Sequence, residues 1–327
     1  MDVPQLFAAL TGPHHRRALG RAITLVESSR PEDLAPAAEL VALAERHPPP
    51  SSTFRLGISG TPGVGKSTFI EAFGQELVRR GHRLAVLAID PSSSLSGGSI
   101  LGDKTRMELL TREEKVYIRP SPNAGELGGV GPASRAAVLL CEAAGYDYVI
   151  VETVGVGQAE WQVHGMTDAF LLLGQPASGD ELQGIKRGIL ELADHLVVNK
   201  ADRLPKEARL AAAELRRSLH LAPPRPDGWT VEVATASALT GKGVPEVADR
   251  MGVYRQQQRE HLLQRRQQQR LSWLREQLRR ELLRRLDGYL QEAGLENDQL
   301  RTLLDQHITI PATADVILAE FHQNSNS

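Results

Sequence analysis

Residues 60–68 read Gly60-Thr61-Pro62-Gly63-Val64-Gly65-Lys66-Ser67-Thr68. This run has the P-loop pattern of a glycine, four residues, a second glycine, a lysine and a serine. It lies between an aliphatic run at residues 55–59 and a helical pattern at residues 69–80, which is the strand-to-helix context that the motif requires. Backbone N–H groups of such a loop converge on phosphate oxygens, and the helix N-terminus attracts the anion. We therefore predict that all nine residues bind a nucleotide, with Lys66 on the β- and γ-phosphates.

Short aliphatic runs alternate with longer helical patterns from residue 54 onward. This alternation predicts an α/β fold, namely a P-loop NTPase with a mainly parallel sheet flanked by helices. The predicted strands are Arg55 to Ser59, Leu84 to Ile89, Tyr146 to Val151, Ala169 to Leu173, His195 to Val198 and Thr230 to Val233, with Val116 to Ile118 as a weaker seventh.

Helical segments flank this region on both sides. Apolar residues at helical spacing in residues 2–47 predict an N-terminal pair of helices, with Pro31 where a new helix can start. The prolines at 48–50 cannot continue a helix. After Val253 the chain is rich in Gln, Arg and Leu, and five leucines recur near one helix face: Leu271, Leu274, Leu278, Leu282 and Leu286. We predict an N-terminal helical extension at 1–50, a nucleotide-binding domain at 51–253 and a helical arm at 254–327.

The composition excludes several classes of protein. Among 327 residues, 38 are Lys or Arg and 40 are Asp or Glu, so the chain lacks the basic balance of most nucleic-acid-binding proteins. Its single cysteine, Cys141, excludes an internal disulfide and a cysteine-rich metal site. No apolar run approaches the ~18 residues that span a bilayer, and the N-terminus does not resemble a signal peptide. We expect a cytoplasmic protein that binds neither nucleic acid nor membrane.

Three acidic residues follow predicted strands or lie soon after them. They are Asp90, Asp103 and Glu152. The carboxyl ends of parallel strands meet at one edge of the sheet, so these acids can converge on Ser67. Mg²⁺ prefers oxygen ligands and keeps several waters. We predict a Mg²⁺ site formed by Ser67 and these three carboxylates, some of them through water.

Residues 152–155 (Glu-Thr-Val-Gly) occupy the position of the segment that senses the γ-phosphate in nucleotide switches. That segment consists of an acidic residue, two further residues and a glycine. Glu152 replaces the more usual aspartate there. Gln158 follows closely and can orient the attacking water, although a plain loop glutamine is an equally good interpretation.

A second motif follows the strand at residues 195–198. Asn199, Lys200 and Asp202 emerge at the same edge of the sheet as the P-loop. The Asp202 carboxylate can accept both the N1–H and the exocyclic amine of guanine, a donor pair that adenine lacks, while the Lys200 stem lies along the ring. This favours GTP over ATP. The last strand is followed by Ser237, Ala238 and Leu239, where a backbone N–H can reach guanine O6.

The residues quoted above resemble the P-loop GTPases associated with methylmalonyl-CoA mutase, the MeaB/ArgK type within the SIMIBI class of signal-recognition and MinD-like proteins. The blocks that carry the resemblance are residues 89–94, 97–107, 125–129, 151–158 and 179–186. It covers the whole G domain, and the helical flanks look similar as well.

This resemblance implies a GTPase chaperone that binds the adenosylcobalamin-dependent mutase, gates cofactor loading and protects or reactivates the enzyme. It further implies that the C-terminal arm makes a homodimer, and that Lys186, in an extra switch at residues 176–186, promotes hydrolysis when the partner docks. From the residues alone, Lys186 is an exposed helix lysine. The loop at residues 175–179 has less glycine than is usual in the family.

Two other functions remain as alternatives. The first is an ATP-dependent kinase or a transport-associated ATPase of the arginine and ornithine type, against which the guanine-reading residues at 199–202 argue. The second is a nickel-type metallochaperone GTPase, which shares the sheet and the P-loop but needs Cys or His ligands that this chain offers sparsely.

Overall fold

The computed structural model describes residues 2–13, 15–47, 53–90, 107–122, 131–153, 159–176, 187–221, 223–295, 297–307 and 309–325. The chain forms two compact units, Met1–Arg265 and Arg266–Ser327. The predicted division into three parts at residues 50 and 253 stays a prediction.

The first unit contains a sheet of seven described strands, all paired in parallel, in the order β3-β2-β4-β1-β5-β6-β7. The strands are β1 Phe54–Gly60, β2 Leu84–Asp90, β3 Val116–Pro122, β4 Tyr148–Thr153, β5 Ala169–Gly174, β6 His195–Val198 and β7 Glu232–Thr235. This confirms the predicted mainly parallel α/β sheet, including its weaker seventh strand.

The described helices lie before, between and after these strands. They are α1 Val3–Thr11, α2 His15–Val26, α3 Pro31–Arg46, α4 Lys66–Arg79, α5 Glu108–Arg112, α6 Pro132–Ala143, α7 Ala159–His164, α8 Arg187–Leu190, α9 Pro205–His220, α10 Val244–Gln257, α11 Arg259–Glu292, α12 Asn297–His307 and α13 Ile310–Ser325. Among them, none combines the length and the apolar character that crossing a bilayer requires.

Strand β1 lies at the centre of the sheet, between β4 and β5. Its seven residues are all buried, as expected for a parallel strand covered on both faces. The connections after β1 lead to β2 and β3 on one side, whereas the connection after β4 crosses to β5 on the other. A ligand crevice forms where the strand order reverses in this way, at the carboxyl ends of the strands.

Two strands begin later than the sequence predicts. Strand β4 begins at Tyr148 instead of Tyr146, because Gly145 adopts a positive φ of 79° and closes α6 with a Schellman motif. In that motif the Tyr146 N–H donates to Cys141 O at 3.2 Å. Strand β7 begins at Glu232 instead of Thr230, since Trp229 is held in the preceding loop by a 3.0 Å bond from its N–H to Asp227 Oδ1.

Helix α4 begins at Lys66, three residues before the predicted start, because Gly65 in the left-handed conformation acts as its N-cap. The rings of Phe69 and Phe73 stack with centroids 5.8 Å apart and are fully buried against the sheet core. Each fully buried aromatic side chain of this kind stabilises the fold by about 1.5–3 kcal/mol. The core thus fixes the helix whose first turn forms part of the phosphate site.

The N-terminal segment has three helices where the sequence predicted a pair. Gly12 is extended at φ −86° and ψ 179°, and the following Pro13 cannot continue α1, so residues 3–26 split into two helices. The predicted start of a helix at Pro31 is confirmed. Helices α2 and α3 pack against α6 on one face of the sheet.

Candidate functional site

The P-loop connects β1 to α4 at the central position of the sheet. Val64 is fully buried, whereas Pro62 and Gly63 are exposed at the tip and Thr61 is half-buried. A Cβ on Gly60 would lie 2.6 Å from the carbonyl oxygen of Leu173 in β5, so only glycine fits there. The loop is therefore held close to the neighbouring strand with its tip open to solvent.

Lys66 is the first residue of α4 and is 9% exposed. Its ammonium group donates to the carbonyl oxygens of Gly60 at 2.8 Å and Thr61 at 3.3 Å. Burial lowers the pKa of Lys66, while the carboxylates of Glu152 and Glu160 oppose that shift. The ammonium group thus lies inside the P-loop, close to where the motif places the terminal phosphates.

Ser67 lies beside the acid at the end of β4. Its hydroxyl donates to Glu152 Oε1 at 3.2 Å, and the Glu152 side chain is buried. Next to this pair, Thr153 Oγ1 donates to Ser59 Oγ at 2.8 Å, which ties the ends of β4 and β1 together. The structure brings together a hydroxyl and a carboxylate oxygen, both hard ligands, as predicted for this part of the site. Thr68, the next residue of the motif, is exposed on the first turn of α4.

Asn199 follows β6 and connects two loops of the site. Its side-chain amide donates from Nδ2 to Val64 O at 3.0 Å, and Oδ1 accepts from the Ala238 N–H at 3.0 Å. The side chain is almost fully buried at 1% exposure. One amide therefore joins the phosphate-binding loop to the loop after β7, although 135 residues separate Asn199 from Val64.

Lys200 has a left-handed backbone with φ 57°. Its ammonium group donates to the Gly63 carbonyl oxygen and, at 3.2 Å, to Gln175 Oε1. The aliphatic stem therefore runs across the P-loop, next to the position that the sequence assigns to the guanine ring.

Asp202 and Ser237 lie at the other end of this motif. Hydrogen bonding from the Ser237 side chain lowers the pKa of the exposed Asp202 carboxyl, so it is an anion at neutral pH. Ser237 is buried, and its Oγ also accepts from the Thr240 N–H at 3.2 Å. Leu239, by contrast, is 74% exposed, and the N–H of Ala238 is already donated to Asn199.

Several predicted site residues are not brought into this geometry. Asp90 ends β2, at the same edge of the sheet as Ser67, but only its backbone is described. Asp103, Gln158 and Lys186 lie outside the described residues. Their predicted roles in metal binding and hydrolysis stay predictions.

Two contributors were missed by sequence reasoning. Glu160 in α7 is 3% exposed and acts electrostatically on Lys66, and Gln175 accepts from Lys200. Gln175 directly follows β5, so its place at the carboxyl end of a strand beside β1 was a usable signal. Glu160 carried no comparable signal, because its burial depends on how α7 packs.

These residues fit a guanine nucleotide. The P-loop backbone N–H groups and the Lys66 ammonium are donors of the kind that phosphate oxygens accept. Gly65 takes a φ of 89°, and a Cβ there would lie 3.0 Å from Asn199 Nδ2, so a side chain would crowd the loop. The anionic Asp202 carboxylate offers oxygen acceptors of the kind that the N1–H and amine of guanine require.

Comparison with known proteins agrees with this geometry. The family model described as Methylmalonyl Co-A mutase-associated GTPase MeaB matches residues 19–290. A protein of Mycobacterium bovis named as a probable GTPase is 55% identical over 242 residues, covering 74% of this chain and 71% of that protein. The GTPase ArgK of Escherichia coli is 47% identical over 275 residues, covering 83% of this chain and 82% of that protein.

A solved structure titled as an LAO/AO transport system kinase also matches, with a TM-score of 0.72, 34% identity and coverage of 99% of this chain and 98% of that chain. Its likeness extends beyond the sheet to the helices on both flanks. Taken with the family match over residues 19–290, this shows that the chain is a guanine-nucleotide-binding GTPase and belongs to the MeaB family of methylmalonyl-CoA mutase-associated GTPases.

Proposed function

We propose that this GTPase hydrolyses GTP with a Mg²⁺ ion held by Ser67 and by the carboxylates of Asp90, Asp103 and Glu152. The contact that supports this assignment is the 3.2 Å bond between the Ser67 hydroxyl and Glu152 at the carboxyl edge of the sheet. The ion would neutralise charge on the phosphate oxygens. Lys66 then stabilises the charge that develops as the terminal phosphate leaves, and Gln158 orients the attacking water.

We further propose that GTP hydrolysis serves a chaperone of an adenosylcobalamin-dependent acyl-CoA mutase, and that it gates cofactor loading and protects or reactivates that enzyme. The observation that carries this proposal is the mutase-associated family match over residues 19–290, which spans the nucleotide site and much of the C-terminal helical region. The protein would act in the cytoplasm, and Lys186 would accelerate hydrolysis when the mutase docks.

The solved structure titled as an LAO/AO transport system kinase suggests the alternative of an ATP-dependent transport kinase. The site favours GTP, because the Asp202 carboxylate offers a pair of acceptors and adenine lacks the adjacent pair of donors that guanine presents. A nickel-delivery role finds less support: Cys141 is fully buried in α6, and burial raises the pKa of its thiol, which disfavours the thiolate that binds metal.

The test is a pull-down combined with a GTPase assay, using the host's cobalamin-dependent acyl-CoA mutase with GTP and with ATP. Lys186→Ala is the informative variant. Lys115→Ala is its matched control, because Lys115 is an exposed lysine that precedes β3 at the opposite edge of the sheet. We expect the mutase to bind and to accelerate GTP hydrolysis in the wild type and the control, but not in Lys186→Ala. Absence of a complex, or equal use of ATP, would refute the chaperone proposal while leaving the GTPase intact.

We also propose that the C-terminal arm at residues 254–327 forms a homodimer. Helix α11 exposes Leu271, Leu274, Leu278 and Leu282, each by 55–60% of its surface. Their spacing of three and four residues places them along one stripe of the helix, as in helix pairs. A Leu274→Glu, Leu278→Glu variant should run as a monomer in light scattering, whereas Ser272→Glu, at an exposed position of the same helix outside the leucine stripe, should leave the dimer intact. A dimeric leucine variant would rule out this surface.

A further inference from the structure

A buried cluster of charges lies at the edge of the sheet opposite the nucleotide site. Its centre is Asp194, which directly precedes β6 and is fully buried. Asp194 Oδ1 accepts from Arg225 Nη2 at 2.7 Å, while Oδ2 accepts from the Phe170 N–H at 2.8 Å and from Arg265 Nη1 at 3.3 Å. A carboxylate this deeply buried is retained only when partners of this kind compensate its lost hydration.

Arg265 reaches from this cluster to a second element. The residue lies in the second turn of α11, its side chain is 10% exposed, and its Nη2 donates to the carbonyl oxygen of His164 at 3.4 Å. His164 is the last residue of α7, where helix carbonyls lack partners within the helix. Burial and the charges of Arg265 and Arg225 lower the pKa of His164 to about 3, so its ring adds no further cation to the cluster.

The remainder of α7 lies close to the nucleotide site. Between parallel strands a connecting helix returns from the carboxyl edge of the sheet to the amino edge, so α7 begins near the P-loop and ends at Arg265. Glu160, near its beginning, is buried and acts electrostatically on Lys66. Val163 packs directly on β1, with Cγ1 only 2.8 Å from where a Cβ on Gly57 would stand. Movement of this six-residue helix would therefore disturb both β1 and the surroundings of Lys66.

We infer that Arg265 is a positioning residue for GTP hydrolysis: by holding the C-terminal end of α7, it fixes Glu160 beside Lys66 and keeps α7 packed on β1. The role concerns the chain's own GTPase activity and does not depend on the proposed mutase partner. It also means that the first turns of α11, which precede the exposed leucines, serve the nucleotide site.

The experiment uses the full chain in three variants. Arg265→Gln removes the charge and shortens the reach, and Arg265→Lys keeps the charge but offers one ammonium for two acceptors. Arg259→Gln makes the same chemical change at an exposed position of the first turn of α11 and is the matched control. The measurements are kcat and KM for GTP, the affinity for GDP, the melting temperature, and hydrogen exchange of the peptide that contains α7.

We expect Arg265→Gln to lower kcat about tenfold, because small misplacements of supporting groups cost up to about a hundredfold. GDP affinity should change less than about twofold, hydrogen exchange in α7 should rise, and Arg265→Lys should recover part of the rate. The control should match the wild type. An unchanged kcat would overturn the inference. A parallel loss of kcat, GDP affinity and melting temperature would also overturn it, since general destabilisation would then account for the effect.

Discussion

Replacing Asn199 by alanine should weaken nucleotide binding without unfolding the protein. The substitution removes both 3.0 Å hydrogen bonds of the buried amide and leaves Val64 O and the Ala238 N–H without that partner. Each buried backbone group that loses its partner costs about 1–3 kcal/mol. In the free variant both loops can open partly to water, and they must close again when the nucleotide binds. We therefore expect the binding free energy of GDP to become less favourable by about 2 kcal/mol. That energy corresponds to about 30-fold weaker binding of GDP.

The assay is a titration of GDP into wild type, Asn199→Ala and Asn199→Asp, with the melting temperature of each free protein measured in parallel. Asn199→Asp keeps an acceptor for the Ala238 N–H but places a carboxylate oxygen against the Val64 carbonyl. We expect it to lose at least as much affinity as the alanine variant. Because most of the cost is expected to appear in nucleotide binding, the melting temperatures should fall by only a few degrees.

A GDP affinity of Asn199→Ala within about threefold of wild type would refute this reasoning. The two loops would then hold their arrangement without the bridging amide. A large loss of GDP affinity in Asn199→Ala combined with full affinity in Asn199→Asp would also contradict this reasoning, because only the bond to the Ala238 N–H would then affect binding.

Three further changes have expected outcomes. Asp202→Asn should replace an acceptor of the base site by a donor, so competition assays should show weaker binding of GTP and stronger binding of xanthosine triphosphate. The ring of xanthine offers a carbonyl where guanine has an amine. An unchanged preference for GTP would contradict the assignment of Asp202. Ser67→Ala should lower the apparent affinity for Mg²⁺ by about 10- to 100-fold when the GTPase rate is measured against the Mg²⁺ concentration. Chelation of Mg²⁺ should abolish hydrolysis by the wild type. A GTPase rate that changes neither with the substitution nor with chelation would exclude the proposed metal site. Lowering the pH should destabilise the fold through His195, which is 1% exposed. Burial, together with the charge of Arg250, lowers the pKa of His195 to about 4. In the unfolded chain the His195 ring takes up a proton at about pH 6.5, whereas in the folded protein it does so only near pH 4. The contribution of the neutral ring to the free energy of unfolding is therefore fully present above pH 6.5, and about 3 kcal/mol of it is lost by pH 4. Urea unfolding across this range should show a shallower pH dependence for His195→Gln, and an identical slope would assign the effect to other groups.

Local patterns were sufficient to predict the central part of the fold. The P-loop, the strand before it and the helix after it are consecutive in sequence, and the runs at residues 84–89 and 195–198 coincide with described strands within one residue. Asn199, Lys200 and Asp202 were predicted to lie at the P-loop edge because they follow a parallel strand directly. The contacts of Asn199 and Lys200 with the P-loop confirm that placement for two of them.

The features that the sequence did not reveal depend on contacts between distant segments. The bond from Arg225 to Asp194 joins residues 31 apart, and the bond from Arg265 to His164 joins residues 101 apart. Neither arginine differs by pattern from the many exposed arginines of the chain, since only packing decides which guanidinium is buried. The later start of β4 likewise depends on the left-handed turn at Gly145 and the bond from the Tyr146 N–H to Cys141 O, which the aliphatic pattern of residues 146–151 does not indicate.

Asn199 and Arg265 concern two different properties of a GTPase site, the affinity for the nucleotide and the rate of hydrolysis. Asn199 joins the P-loop to the loop after β7, so we expect its loss to change the affinity for GDP and GTP together. Arg265 acts from the opposite edge of the sheet through α7, so its loss can change the rate of hydrolysis while binding is preserved. A motif specifies the groups that touch phosphate and base, but the rate also depends on how firmly their supports are held. The support that we infer for α7 comes from Arg265, in the second turn of α11.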